Sequence, residues 1–426
     1  MILLKNGRVI NPENGTDKKA DVLIIGDKIA DIADCIDLRE SKDIKVVDCE
    51  GCIVGPGLVD IHVHFRDPGF THKEDILTGA KAAAAGGVTA VILMANTKPA
   101  VDNIETLNYV IEKGKETDIN VYTCANVTEG LKGEKVTDFV ALKAAGAIGF
   151  TDDGIPMLDE KVVVEAMKLA AETDSVLSFH EENPAFITNN GVNRGKASEH
   201  FGIGGSDRQA EIDMVERDVK LAIENKAKIN IQHISSKEAL EIIREAKKNT
   251  EGEQLIFAEA TPHHIALTEA ATIEHDTMAK MNPPLRTEED RQAIIEAIKD
   301  DTIDFIATDH APHAADEKAK AITDAPSGIL GLETAILVAN DVLVRENGIP
   351  WTKIFEKMSY NPAKLYGISA GKMAKHEKAD IVIFNENESK LYEKSLSKSQ
   401  NSPFLGHTFS GKVKMTICKG KIIYQD

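Results

Sequence analysis

Cysteine, positive charge and long hydrophobic runs are scarce in this sequence. The five cysteines are an odd number, which argues against a disulfide scaffold and indicates a reducing cytoplasm. The 50 Lys and Arg residues are outnumbered by 69 Asp and Glu, and this excess of negative charge argues against nucleic acid as a partner. No apolar run reaches the roughly 18 residues needed to span a membrane, and residues 1–8 lack the apolar core of a secretory signal. We therefore expect a globular cytoplasmic protein with no nucleic-acid or membrane partner.

Both ends of the chain show the same sequence pattern, in which short apolar runs are separated by turn residues. These runs are residues 2–10, 22–25 and 44–47 near the start, and 380–384, 413–417 and 422–424 near the end. We expect residues 1–55 and 366–426 to form one small β-domain together, a β-sandwich built from both termini.

The central part of the chain, residues 56–365, alternates short apolar runs with amphipathic segments of helical length. The runs predict eight strands, at residues 58–63, 88–94, 119–124, 147–150, 175–179, 229–231, 254–259 and 303–307. Eight βα units predict a (β/α)8 TIM barrel whose catalytic residues lie at the carboxyl ends of the strands. An open doubly wound sheet is the alternative, but no G-x-G-x-x-G sequence follows any of these strands.

Polar residues collect at the ends of the predicted strands: His62 and His64, Asn96, Asp152 and Asp153, His180, His233, and Asp309 and His310. Residues i and i+2 of a strand face the same side, so both imidazoles of His62 and His64 can point into the barrel mouth. Four imidazoles and two carboxylates exceed the needs of one tetrahedral zinc ion with an open position, but they suit two ions about 3.5–4 Å apart. Because nitrogen-rich ligation favours zinc, the pattern predicts a hydrolytic site with two zinc ions, bridged by a carboxylate and a hydroxide.

The run from Val54 to Gly69 resembles the signature of the cyclic amidohydrolases, and its Arg66-Asp67-Pro68-Gly69 ending is similar to dihydroorotases. Further segments agree with this resemblance: residues 94–99, 149–154, 280–286, 307–313, 326–334 and 361–367. With the two terminal β-regions, the resemblance covers essentially the whole chain and is to the long bacterial class I dihydroorotases. It implies the reversible cyclisation of N-carbamoyl-L-aspartate to L-dihydroorotate in pyrimidine biosynthesis.

The resemblance also implies a role for each candidate ligand. One metal would be held by His62, His64 and Asp309, the other by His180 and His233, and Asp153 would bridge them. Hydantoinases usually bridge their ions with a carboxylated lysine directly after a phenylalanine, where this chain has Thr151. Class I dihydroorotases resemble this sequence in using an aspartate, so Asp153 is the expected bridge and Asp152 the alternative.

For the substrate, the resemblance implies that Arg66, Asn96 and His313 donate hydrogen bonds to the α-carboxylate. The planar fork of an arginine suits such a group. Asn282 and the backbone around Gly328 would address the ring amide groups. Asp309 would be the catalytic residue that carries a proton between water and the ring nitrogen.

Several alternatives stay open. Residues 314–326 are small and polar, and their composition is compatible with a closing lid and equally with a solvated loop or a short helix. His263 and His264 are expected to be structural. A hydantoinase or allantoinase is the first alternative function, and a catalytically silent scaffold that binds aspartate transcarbamoylase is the second. A homodimer and a complex of the active enzyme with aspartate transcarbamoylase are both compatible with the resemblance.

Overall fold

The computed structural model describes residues 1–37, 44–250 and 252–426. The described residues form sixteen strands: β1 (Ile2–Asn11), β2 (Thr16–Ile25), β3 (Lys28–Ala33), β4 (Lys45–Asp48), β5 (Ile53–Pro56), β6 (Leu58–Val63), β7 (Val88–Leu93), β8 (Asn120–Thr123), β9 (Phe150–Thr151), β10 (Val176–Phe179), β11 (Lys228–Ile231), β12 (Ile256–Ala260), β13 (Phe305–Ile306), β14 (Ile381–Leu391), β15 (Thr408–Cys418) and β16 (Lys421–Gln425).

The same residues form fourteen α-helices: α1 (Ile76–Ala85), α2 (Ile104–Gly114), α3 (Phe139–Ala145), α4 (Glu160–Glu172), α5 (Lys196–Phe201), α6 (Gln209–Asn225), α7 (Lys237–Lys248), α8 (Pro262–Ala266), α9 (Glu269–His275), α10 (Glu288–Lys299), α11 (Ala315–Lys318), α12 (Ala335–Val338), α13 (Trp351–Phe355) and α14 (Asn361–Leu365). Two of them continue as π-helices, α12 through Glu346 and α13 through Tyr360. None of these helices combines the length and the apolar character needed to cross a membrane.

Strands from both ends of the chain form one sheet, in the order β16-β15-β14-β5-β1-β2-β3, with β4 also paired to β1. Within this sheet β5 joins the two ends, because it pairs with β1 on one side and with β14 on the other. Buried side chains from opposite halves of the sheet share one core, among them Leu4 and Val22 from the start and Ile381 and Ile417 from the end. The sheet therefore folds over this core as the expected sandwich.

The eight parallel strands β6 to β13 form the barrel. Ladders of hydrogen bonds connect neighbouring strands in the series β6-β7-β8 and in the series β9-β10-β11-β12-β13. Single bridges close the two remaining gaps, Ala125 with Phe150 and Val63 with His310. Each strand overlaps one predicted from the sequence, although β9 and β13 are only two residues long. β7 is buried along its entire length, as expected where helices cover a parallel sheet. The predicted (β/α)8 barrel is confirmed.

The helices that follow the barrel strands begin at the rim where the carboxyl ends of the strands meet. Side chains at five of these positions accept the backbone N–H of the third helical residue: Asp75 at α1, Asn103 at α2, Asp138 at α3, Thr261 at α8 and Thr287 at α10. Loops between strand and helix therefore gather at one end of the barrel, where catalytic residues of such barrels lie.

One long connection leaves the terminal sheet and reaches this rim. Residues 392–407, between β14 and β15, bury four alternate polar side chains: Ser395, Ser397, Ser399 and Asn401. Ser397 donates to the carboxylate of Glu74, and Ser399 Oγ donates to the carbonyl of Lys73 at 2.7 Å. Hydrogen bonds therefore attach this 392–407 segment to the loop that follows β6.

Candidate metal centre

Four histidines meet inside the barrel at the carboxyl ends of its strands. His62 lies in β6 and His64 directly after it, while His180 follows β10 and His233 follows β11. All four side chains are buried. The ring centroids of His62 and His64 are 5.4 Å apart, because residues two apart in an extended strand face the same side. The structure thus brings the four histidines named from the sequence into one cluster.

The carboxylate of Asp153 lies between these imidazoles. Its Oδ1 is 3.4 Å from His62 Nε2, 3.8 Å from His180 Nδ1 and 3.9 Å from His233 Nε2, and its Oδ2 is 3.3 Å from His64 Nε2. One carboxylate therefore faces a ring nitrogen of each histidine. This is the arrangement required of a ligand that two cations share.

The adjacent Asp152 is engaged outside the cluster. Its carboxylate accepts the backbone N–H groups of Val127 at 2.9 Å and Thr128 at 3.1 Å, and the hydroxyl of Thr128 as well. These bonds hold the loop that follows β8. Of the two neighbouring aspartates, the structure brings Asp153 to the imidazoles.

Asp309 joins the cluster from the loop after β13. Its Oδ1 lies 3.0 Å from His64 Nε2 and 3.4 Å from His62 Nε2. Asp309 and His233 both have positive φ, 45° and 35°, a region in which residues other than glycine are uncommon. Strained backbone of this kind clusters at functional sites, where the surrounding structure holds it in place.

The donor atoms of these residues fit a metal site. They fall into three groups whose donor atoms lie within 4.8 Å of one another: His62, His64 and Asp153; His62, His233 and Asp309; Asp153, His180 and His233. His62 Nε2 is buried and finds no hydrogen-bond partner among the described residues. A cation would satisfy this nitrogen, and imidazole-rich donor sets suit zinc better than magnesium or calcium.

Two glutamates that the strand-end pattern did not single out orient the rings of the cluster. His62 Nδ1 lies 2.5 Å from Glu259 Oε1, and His180 Nε2 lies 3.0 Å from Glu182 Oε2. A carboxylate that accepts one ring N–H turns the other ring nitrogen toward the centre, where it can bind a metal ion once it has lost its proton. The sequence offers a signal for one of the two, because Glu259 is the last residue of a predicted strand.

Opposite charges compensate each other inside the cluster. Burial alone would lower the pKa of His62, but the carboxylates of Asp309, Glu259 and Asp153 hold it well above its ordinary value. Burial alone would raise the pKa of Asp153, but the surrounding imidazoles, His62 first, hold it well below its ordinary value. The cluster therefore retains positive charge beside its carboxylates, and a bound cation would take the place of these protons.

A cavity of about 200 Å³ opens beside the cluster. Its wall includes His64, Arg66, Asn96, Asp153, Asn282, Asp309, His313 and Ser327. Candidate ligands and four predicted substrate contacts thus share one cavity. A larger cavity of about 650 Å³ lies at the amino ends of β11 to β13, where Lys247 and Lys357 are paired with Asp304 and Asp301. None of the predicted site residues lines that second cavity.

Arg66 and His313 lie together on the cavity wall. Arg66 Nη2 is 3.4 Å from His313 Nε2, and Arg66 Nε donates to the carbonyl of Pro312 at 3.2 Å. His313 Nε2 also lies 2.9 Å from the carbonyl oxygen of Ser327, which places the proton on this nitrogen. Burial and the charge of Arg66 lower the pKa of His313. A guanidinium and a neutral imidazole therefore stand side by side on the cavity wall, and in this structure the imidazole N–H is donated to the carbonyl of Ser327.

Asn96 and Asn282 make different contacts in the cavity wall. Asn96 Nδ2 donates to Asp153 Oδ2 at 3.1 Å, and Asn96 Oδ1 lies 3.1 Å from His64 Nδ1. Asn96 thus orients two candidate ligands from the wall of the cavity. Asn282 Oδ1 accepts the hydroxyl of Ser327 at 3.1 Å.

Gly328 lies behind the cavity wall. Its N–H donates to the carbonyl of Lys280 at 2.9 Å, and its own carbonyl accepts from Lys318 Nζ at 3.2 Å and Asn401 Nδ2 at 3.0 Å. The backbone groups expected to reach the ring amides are thus bonded within the protein in this structure. A Cβ at this position would lie 2.5 Å from the carbonyl oxygen of Ala311, so close packing requires glycine.

Residues 314–326 form the short helix α11 and a loop anchored by two buried lysines. Lys280 Nζ donates to the carbonyls of Ile322 and Ala325, both at 2.7 Å, and Lys318 Nζ donates to the carbonyl of Pro326 at 3.0 Å. Burial, with the nearby charge of Lys280, lowers the pKa of Lys318 to about 7. In this structure the segment is a short helix followed by a loop, and a lid role stays a prediction.

The adjacent pair His263 and His264 lies outside the three donor groups. Both side chains are buried in and around α8. His264 Nδ1 lies 2.7 Å from Thr261 Oγ1, and its Nε2 lies 3.0 Å from the carbonyl of Pro283. These bonds tie α8 to the loop before α10.

Comparisons with known proteins identify the family of this chain. A family model described as Dihydro-orotase-like matches residues 51–239. Two relatives, each named Dihydroorotase, align over 100% of both chains. The protein of Clostridium acetobutylicum is 49% identical over 428 residues, and that of Clostridioides difficile is 50% identical over 424 residues.

Solved structures with the same fold include hydantoinases. The L-hydantoinase (dihydropyrimidinase) of Arthrobacter aurescens has a TM-score of 0.89 at 22% identity, covering 100% of this chain and 96% of its own. The D-hydantoinase (dihydropyrimidinase) of Thermus sp. has a TM-score of 0.86 at 22% identity, with the same coverage. At this identity the likeness shows the fold alone. The full-length relatives are far more similar in sequence, and the chain belongs to the dihydroorotase family.

Proposed function

We propose that this chain catalyses the reversible cyclisation of N-carbamoyl-L-aspartate to L-dihydroorotate with two zinc ions. Asp153 carries the proposal, because its carboxylate lies within 3.9 Å of a ring nitrogen of each of the four histidines. Membership of the dihydroorotase family supports this reaction and its place in pyrimidine biosynthesis. A hydantoinase or allantoinase activity has less support, because Thr151 stands where the hydantoinase lysine is expected.

The ligands divide into two sets that share Asp153. His62, His64 and Asp309 would hold one ion, and His180 and His233 the other. Two of the donor groups in the cluster match this division, and the third joins His62 and Asp309 to His233. When bound, such ions polarise a carbonyl and lower the pKa of water, so that hydroxide is available near neutrality. Glu259 accepts the other ring N–H of His62 and Glu182 that of His180, and these bonds orient the two imidazoles.

Asp309 would move the proton of the reaction, and its position beside the imidazoles supports this role. Its carboxylate lines the cavity beside the imidazoles. In ring opening it would take a proton from the attacking water and give it to the departing ring nitrogen, and cyclisation would reverse these steps. Cyclisation consumes one proton overall, because a carboxylate disappears. The equilibrium should therefore move toward the ring as pH falls.

The pair Arg66 and His313 would receive the α-carboxylate of the substrate. The net charge of the chain is −19, so an anionic substrate needs local donors of this kind. Family resemblance alone makes Asn96 the third donor, because in this structure its Nδ2 donates to Asp153. Contacts of Asn282 and of the backbone around Gly328 with the ring amides are supported by family resemblance alone.

The test is ring opening of L-dihydroorotate by zinc-loaded protein, followed by ultraviolet absorbance. Hydantoin and allantoin serve as parallel substrates, a chelated sample as the control, and zinc per chain is counted in each sample. We expect loss of dihydroorotate only when zinc is present. Turnover of hydantoin or allantoin instead would overturn the assigned substrate. Zinc-loaded protein that turns over none of the three would favour the silent scaffold, unless added aspartate transcarbamoylase restores activity.

We further propose the domain boundaries that the sequence predicts, with residues 1–55 and 366–426 in the terminal domain and 56–365 in the barrel. The strands of the terminal sheet, which lie within residues 2–56 and 381–425, support this division. Five free cysteines support a reducing compartment, and the cytoplasm stays a prediction. A homodimer and a complex with aspartate transcarbamoylase likewise stay predictions.

A further inference from the structure

Asn401 is the one buried amide of the 392–407 segment that bonds two loops of the cavity wall at once. Its side chain is 2% exposed. Asn401 Oδ1 accepts the backbone N–H of His313 at 2.9 Å. Asn401 Nδ2 donates to the carbonyls of Ala311 at 2.9 Å and Gly328 at 3.0 Å. One N–H and two carbonyls fix which way the amide points, and both ends of the side chain are satisfied.

These loops belong to the carboxylate site described above. The first, residues 311–313, carries the imidazole of His313 and the carbonyl that accepts from Arg66 Nε. The second, residues 327–328, carries the carbonyl of Ser327 that lies 2.9 Å from His313 Nε2. The two loops touch, since a Cβ on Gly328 would be 2.6 Å from His313 Cδ2. Asn401 thus bonds the backbone on both sides of the contact that sets the position of the imidazole.

We propose that Asn401 is a positioning residue for the substrate carboxylate. By fixing the 311–313 loop against the 327–328 loop, it keeps His313 Nε2 beside the guanidinium of Arg66. Asn401 itself bonds only protein groups, so it acts through His313 and does not touch the substrate. The inference rests on the proposed function, in that it assumes His313 and Arg66 receive the carboxylate.

Neighbouring residues of the same segment offer a matched control. Ser399 is also buried, and its Oγ donates to the carbonyl of Lys73 at 2.7 Å, in the loop after β6. Ser399→Ala therefore removes one bond between the segment and the barrel while leaving the 311–313 and 327–328 loops untouched. A defect that follows from loosening the segment in general should appear in this variant too.

The experiment compares Asn401→Ala, Asn401→Asp and Ser399→Ala with the wild-type zinc enzyme. Asn401→Asp keeps the volume and the acceptor for His313 N–H, but it replaces the donor of two bonds with an oxygen that faces the carbonyls of Ala311 and Gly328. The readouts are KM and kcat for L-dihydroorotate, the inhibition constant of acetohydroxamate, zinc content and melting temperature. Acetohydroxamate binds metal ions through its hydroxamate and has no carboxylate, so it reports on the metal centre alone.

We expect both Asn401 variants to raise KM by about 10-fold or more, since small displacements of a positioning group cost this much or more. Zinc content, kcat and acetohydroxamate inhibition should stay close to wild type, and Ser399→Ala should behave as wild type throughout. Asn401→Ala should add little to the KM of His313→Ala, because the two residues act through one group.

Two results would overturn the inference. One is a wild-type KM in both Asn401 variants. The other is a joint loss of zinc, acetohydroxamate binding and folded structure in both, which would assign Asn401 to the stability of the fold alone. His313→Ala separates this inference from the proposed function. If that variant leaves KM unchanged, His313 does not bind the substrate carboxylate. If it raises KM while the Asn401 variants do not, His313 keeps its binding role and only the positioning role of Asn401 is refuted.

Discussion

Glu259→Gln tests how strongly a neighbouring carboxylate supports the metal centre. Glu259 is fully buried, and its oxygens accept from His62 Nδ1 at 2.5 Å, Asn230 Nδ2 at 3.0 Å and the backbone N–H of His233 at 3.3 Å. A glutamine can keep its oxygen on His62 if Asn230 turns its amide over to accept the new N–H. What is then lost is the negative charge behind the ring of His62.

The size of this effect follows from the bond that is weakened. A hydrogen bond to a charged group contributes about 1.5–3 kcal/mol, and loss of a carboxylate behind a metal-bound histidine costs about 10- to 100-fold in metal affinity. At about 1.4 kcal/mol for each factor of ten, the two ranges agree. We therefore expect the zinc dissociation constant of Glu259→Gln to rise by about 10- to 100-fold.

Competition with a chromophoric zinc chelator measures this dissociation constant. Glu269→Gln is the matched control, because Glu269 is also buried but accepts from Asn193 Nδ2 at 2.9 Å and the backbone N–H of Ala197 at 3.2 Å, away from the imidazoles. Its zinc affinity should equal that of wild type. Wild-type affinity in Glu259→Gln would refute the reasoning, and equal losses in both variants would point to general destabilisation.

Three further predictions concern other residues of the site. Asp309→Asn should lower the rate by about 10²-fold or more in both directions, measured with zinc content checked, and near-normal turnover with metal retained would remove Asp309 from the mechanism. Gly328→Ala should raise KM for dihydroorotate by about 10-fold, since its Cβ would lie 2.5 Å from the carbonyl oxygen of Ala311, and an unchanged KM would contradict the close packing. Burial lowers the pKa of Lys318 to about 7 in the folded protein, so the unfolded chain binds this proton more tightly and stability from this group rises with pH above about 7. Relative to Lys318→Met, the wild-type unfolding free energy should therefore rise by about 2 kcal/mol between pH 7 and 9 in urea titrations, and a constant difference would show that Lys318 keeps its ordinary pKa.

Much of the fold was predictable because strands buried on both faces appear in the sequence as continuous apolar runs. All eight barrel strands overlap such runs, and β9 and β13 are reduced to two residues each. The histidines and aspartates of the cluster were predictable for a related reason. The carboxyl ends of barrel strands meet at one rim. Polar residues that follow different strands are therefore expected to lie close together, even when they are far apart in sequence.

Contacts that depend on side-chain orientation or on distant loops were not predictable in this way. Glu182 and Glu259 support the histidines only because of which ring nitrogen faces inward, and no sequence pattern encodes that choice. Asn401 bonds His313 across 88 residues of sequence, from a region assigned to the terminal domain. A polar residue in a loop carries no local signal that it will be buried against another loop.

The pairing of β5 with β14 has a consequence for the protein during its synthesis. A ribosome adding about 5 to 20 residues per second needs roughly 15 to 65 s to make the chain between these two strands. Throughout that interval, the nascent chain presents β5 with one edge unpaired and with part of the sandwich core open to water. An open edge of this kind is a template for another strand. Truncated products that end before β14 should therefore be the aggregation-prone forms of this protein, and chaperones that shield β-edges should matter most before the last 46 residues emerge.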